Sequence, residues 1–304
     1  MQVVEYKSCT TCSAAKRIEE HEVPEGWSVS FASLIIADDS RPPALATRKS
    51  ESVEKTRACC RFAIANDKKE LMQRVMAEFY GSYSKEHSCW IRKHDGTNYC
   101  MNPTHLDIVG SDENRKIFIA VGGSKLDENG QLEECHACAG ALGLIVLAEA
   151  GSQLGVVAKN KLFEEIGSWG SAPGPEAFSV REIGPKGSYG WLIKTAYTQG
   201  GKTSVTVDIH GVVGDGVVPL GSVITDFDNS GDCGERGLPH CTNISGDLVI
   251  DANSRADTFY PLILRASGIR KGRAFKGTYR FVFDRHALQY TAPRNMPEEL
   301  SPSI

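Results

Sequence analysis

Residues 86 to 114, EHSCWIRKHDGTNYCMNPTHLDIVGSDEN, crowd the thiols of Cys89 and Cys100, the imidazoles of His87, His94 and His105, and the amide of Asn114 into one turn-rich segment. Cys89, Cys100 and His105 supply three of the four nitrogen and sulfur ligands that tetrahedral zinc takes. Cys59, Cys60, Cys9 and Cys12 are the candidates for the fourth. Asn102-Pro103 predicts a tight turn between Cys100 and His105, which would let both face one ion.

The same segment resembles the zinc-stabilised HNH and His-Cys box (His-Me finger) endonucleases. Their acid-His-x-Cys element is matched by Glu86, His87 and Cys89. Their Cys-x-Asn-Pro-x-His-Leu element is matched by Cys100, Asn102, Pro103, His105 and Leu106, and Asn114 closes the pattern. The resemblance implies structural zinc on Cys89, Cys100 and His105, His87 as the base that activates water, and Asn114 beside a catalytic Mg or Mn ion. Phosphodiester hydrolysis needs both, a base for the water and a cation for the charge growing on phosphate. Nucleic acid would be the substrate. His94 lies between the two cysteines, in a stretch longer than the family's, and is the rival base.

Four further constellations could carry chemistry. Cys9 and Cys12 have the two-residue spacing of a zinc knuckle. Cys135 and Cys138 form a second CxxC before an apolar run; thiols at a helix N-terminus are activated, so a redox pair is conceivable, although structural pairing or metal binding is the favoured reading. Asp226, Asp228, Ser230 and Asp232 alternate as oxygen ligands do in a calcium loop, but Gly237 stands where such a loop ends in a bidentate acid, which favours a polar connection. Cys233 and Cys241 flank a short loop that a disulfide could close. His210, His240 and His286 stand alone and read as structural or surface residues, and the Gly-rich stretches lack the order of a dinucleotide or phosphate loop.

The elements that must position these residues are unevenly legible. DKKELMQRVMAEFYGSY predicts a helix with Leu71, Met72, Val75, Met76 and Phe79 on one face, a capping box at Asp67 and Glu70, and a stop at Gly81. WSVSFASLII predicts an earlier strand, and residues 38 to 56 an exposed connection. After residue 115 come short β-type runs, KIFIAV, YGWLIKTAY, TSVTVDI, GDLVI and TYRFVF. Residues 138 to 149 read as a helix or a buried strand, and 159 to 166 as a short helical piece. Residues 116 to 290 also faintly resemble β-rich domains of uncharacterised bacterial proteins, a likeness that names no activity.

The expected architecture is therefore α+β: a Cys/His-rich ββα-metal-type module over 1–115, a mainly β domain over 116–290 and a mobile tail over 291–304. A chain of 304 residues with 41% hydrophobic and 24% charged residues suits two folded domains. A formal net charge of -4 gives no global attraction to phosphate, so nucleic-acid binding would need a local basic face. No apolar run reaches the roughly 18 residues of a membrane span, and a soluble protein is expected. The start shows no basic-then-apolar leader, which favours the cytoplasm; ten cysteines that fall in pairs favour an extracytoplasmic setting if they are disulfides. The functional expectation is a metal-dependent endonuclease. Its alternatives are a non-catalytic binding or structural protein stabilised by zinc or disulfides, and, third, a thiol redox protein using Cys135 and Cys138.

Overall fold

The computed structural model describes residues 61–63, 67–111, 114–133, 135–150, 153–233 and 240–301. Among them are fifteen strands in one continuous sheet and one α-helix. The α+β expectation with a ββα-metal module is thereby corrected to a mostly β architecture.

Helix α1 (Lys68–Tyr80) forms where periodicity and capping predict it. The Asp67 side chain accepts from Lys69 N–H at 3.1 Å, and Gly81, at φ 86°, ends the helix in a conformation that suits glycine. Its buried face is Leu71, Val75, Met76, Phe79 and Tyr80.

The strands up to β7 run as β1 (Arg61–Ala63), β2 (Tyr83–Ser84), β3 (Cys89–His94), β4 (Thr97–Val109), β5 (Lys116–Leu126), β6 (Gly140–Ala150) and β7 (Gln153–Ile166). From β2 to β7 each pairs antiparallel with the next, and β1 joins β7. On β5, Ile117, Ile119 and Val121 face α1 while Phe118 and Ala120 face the opposite layer. On β6, Ala141, Ile145 and Leu147 face α1 while Leu142, Leu144 and Val146 point away from it. A strand buried on both faces needs an uninterrupted apolar run, which is why 138–149 could be read as helix or strand. Gly143 sits where α1 presses closest: an added Cβ would lie 1.8 Å from the Tyr80 hydroxyl oxygen. The helical piece expected at 159–166 is instead part of β7. Three register shifts along the β6–β7 pairing break the two-residue alternation that would have marked a strand.

The chain continues through β8 (Phe178–Gly184), β9 (Ser188–Gln199), β10 (Lys202–Val213) and β11 (Gly216–Asp228), an antiparallel meander. Phe178, Val180, Trp191 and Ile193 close the second layer over β5–β7. β12 (Asn243–Ile250), β13 (Leu262–Arg270), β14 (Arg273–Asp284) and β15 (Gln289–Thr291) then pack a third core, in which Ile209, Leu220 and Val223 meet Ile244, Leu262, Leu264 and Phe281. The boundary expected near residue 115 falls between β4 and β5, which pair from Asn98↔Leu126 to Val109↔Lys116. Within the stretch read as a mobile tail, Leu300 is fully buried and Glu299 pairs with Arg270 at 2.9 Å.

Candidate functional site

The residues of the opening segment lie along the β2–β3–β4 edge. Cys89 and Cys100 are bonded to each other, with sulfurs 1.96 Å apart, and pack against Leu126 and Ile91. Asn102-Pro103 makes no turn. It lies inside β4, where the register shifts between Pro103 and His105. Proline has no N–H for the ladder, and the irregularity absorbs it. The Thr104 hydroxyl takes up the slack by accepting from Gly122 N–H at 2.8 Å.

His105 is thus carried five residues up a strand from Cys100, roughly 16 Å at the usual rise per residue. It stacks on Phe178 at 5.8 Å and reaches the Asp107 carboxylate at 3.0 Å. Asp107 also accepts from Val180 N–H at 3.3 Å, so this pair seals the β4–β8 junction.

The two groups that the resemblance assigned to catalysis lie on separate turns. His87 is on the turn between β2 and β3, where its N–H donates to Ser84 Oγ at 3.3 Å. Asn114 lies beyond the far end of β4, its N–H donating to Ser111 O at 2.8 Å, and β5 rather than a helix follows. His94 is at the β3–β4 hairpin tip, 3.5 Å from Asp95. Among the described residues no group of three His, Cys, Asp or Glu side chains could hold a metal. Cys9, Cys12, Cys59 and Cys60 lie outside the described residues.

The calcium-type alternation is occupied by hydrogen bonds. Asp226 accepts from Thr225 and Ser245 hydroxyls, each at 2.6 Å. Asp228 accepts from Ser230 N–H and the Asn243 side chain, and Asp232 pairs with Lys202 at 3.6 Å. These carboxylates tie the end of β11 to its neighbours. Cys233 and Cys241 close that corner, with sulfurs 1.92 Å apart.

Cys135 and Cys138 are also bonded, at 2.06 Å, in the loop before β6. A strand follows them, so the helix terminus that would have activated a thiol is not there. What the loop does hold is an aromatic surface. Cys138 O accepts from Gly170 N–H at 2.8 Å, and His136 O accepts from Trp169 N–H at 3.5 Å. His136 meets Trp169 edge to face with centroids 4.7 Å apart, and Tyr197 of β9 lies 6.0 Å from His136.

Comparison with family models, with curated proteins and with solved structures returns no match. The nuclease resemblance is corrected on two grounds: no endonuclease family is found, and neither the ββα fold nor a metal-ligand group forms among the described residues. The HNH-like and hydrolase readings fall with it, and zinc binding finds no ligand group among the described residues.

Trp169 then stands out on physical grounds. Ser168 and Ser171 exchange both backbone hydrogen bonds across Trp169-Gly170, whose φ values are 56° and 69°. A two-residue hairpin turn with both φ positive favours Asn-Gly. Tryptophan in the left-handed region costs about 1–2 kcal/mol, and here it gains little burial in return, being 62% exposed. Beside the turn runs a shallow trough of about 440 Å³ lined by Ser168, Ser171, Pro173, Glu176, Lys194 and Thr195, among others. By sequence alone the Gly-rich stretch GSWGSAPGPEAF reads as turns. The available signal was a tryptophan set between serine and glycine in a turn where asparagine belongs.

Proposed function

We propose that this chain is a non-catalytic binding or structural protein, a β-sheet framework stapled by disulfides, that works in an extracytoplasmic, oxidising compartment. The observation that carries this reading is that all six described cysteines pair at bonding distance. Disulfides persist in secreted and periplasmic proteins and are reduced in the cytosol. No described helix is long and apolar enough to cross a membrane. Cys89–Cys100 joins β3 to β4, Cys135–Cys138 closes a turn in the loop that hydrogen-bonds to the Trp169 turn, and Cys233–Cys241 closes the β11–β12 connection. The binding part of the proposal rests on the exposed His136, Trp169 and Tyr197 surface, since large exposed aromatics with a polar rim are the usual anchors of recognition. Thiol titration of the protein made in an oxidising compartment, with metal analysis of the same sample, tests it. No reactive thiol at these six positions and no bound zinc are expected; free thiols there with one zinc per chain would reject it.

A further inference from the structure

The geometry points to the trough beside Trp169 as a subsite for a neutral saccharide, an inference that rests on the binding reading above. Three observations converge on that chemistry. The first is the platform: the Trp169 turn is held by two backbone hydrogen bonds to the Cys135–Cys138 loop and leaves Trp169 62% exposed, with the His136 ring at right angles to the indole and Tyr197 beyond His136. A pyranose ring has a face of C–H groups that stacks on an aromatic plane, leaving its hydroxyls at the perimeter.

The second is the lining. Ser168, Ser171, Thr195, Glu176 and Lys194 border the trough, which adjoins the aromatic surface through the two serines that flank the Trp169-Gly170 turn and is not lined by the aromatics themselves. Ser171 is steadied by the Ser124 hydroxyl at 3.3 Å. Together they supply both donors and acceptors, which a ring of sugar hydroxyls matches. The third is the charge balance. One acid and one amine line the trough, so it offers no cationic cluster to a phosphate chain, and the chain's net charge of -4 adds none. A volume of about 440 Å³ falls in the range of about 300–1,000 Å³ found for small-ligand sites.

The choice of residue at the turn adds a specific test. Asparagine fits a left-handed backbone better than tryptophan, so Trp169→Asn removes the platform without straining the fold. Titration calorimetry on the full, disulfide-intact chain would use linear hexasaccharides of glucose, N-acetylglucosamine, mannose and galactose as separate probes. At least one should bind, and Trp169→Asn should weaken it tenfold or more, with Tyr197→Ala weakening it less. Binding should survive addition of salt, which would release a polyanion. If no probe binds, if Trp169→Asn binds the same sugar unchanged, or if the surface instead captures a protein that hexasaccharide does not displace, the saccharide assignment is wrong. A thiol count on the same sample separates the two failures. Intact disulfides without sugar binding overturn this inference alone, while free thiols with bound zinc overturn the functional reading beneath it.

Discussion

Lowering the pH should cost this fold stability through one residue, His210. It lies on β10 between Trp191 of β9 and Pro219 of β11 in the strand register, and is 5% exposed. Burial strips water from its imidazole and disfavours the cation, so its pKa falls from 6.5 to about 4. Since the folded value lies below the unfolded one, the unfolded chain binds more protons between those limits. Stability is therefore fully present above pH 6.5 and is lost as pH falls towards 4. At about 1.4 kcal/mol per pH unit the whole loss approaches roughly 3 kcal/mol, of which about 2 kcal/mol is gone by pH 5. Asp208, two residues earlier on the same face, acts with the opposite sign. Burial raises its pKa and a Ser222 hydrogen bond opposes the rise, so its penalty at neutral pH is relieved as pH drops. That contribution is common to wild type and His210→Gln and cancels in their difference. Urea unfolding at pH 7.5 and 5.0 should show wild type losing about 2 kcal/mol more than His210→Gln over the interval. Equal losses in the two proteins would refute the reasoning.

Two further outcomes follow from the packing. The Tyr80 hydroxyl is buried without a partner among the described residues, and desolvation raises its pKa strongly, so Tyr80→Phe should stabilise the fold by about 1 kcal/mol in the same assay; a loss of that size would mean the hydroxyl is satisfied. Removing the Cys89–Cys100 bond as a double alanine variant frees two residues separated by 11 in sequence, which chain entropy places at about 3 kcal/mol; a variant as stable as wild type under oxidising conditions would contradict a stapling role.

The parts of this fold that show in the sequence are those decided locally. Helix α1 has its own cap, stripe and stop, and the alternating run TSVTVDI carries its strand identity within itself. Segment 138–149 fits helix and strand alike because burial on both faces erases periodicity, and 159–166 has a helical look because bulges interrupt the alternation of β7. The cysteines announce their pairing by proximity along the chain, yet thiolates bound to zinc and a disulfide have the same spacing; only the third dimension shows that His105 is carried away from Cys89 and Cys100 along β4. Pro103 misleads for a related reason, since a bulge admits into a strand a residue that ordinarily marks a turn. The His136, Trp169 and Tyr197 surface is assembled from three segments far apart in sequence, and none of them signals the others.

The central claim, a disulfide-stapled framework rather than a zinc site, is tested most directly by alkylation mass spectrometry of the protein made in an oxidising compartment, with zinc quantified in the same sample. The account predicts that Cys89, Cys100, Cys135, Cys138, Cys233 and Cys241 resist alkylation until reductant is added, with no stoichiometric zinc. Alkylation of Cys89 and Cys100 without reductant, together with one zinc per chain that chelator removes, would contradict it.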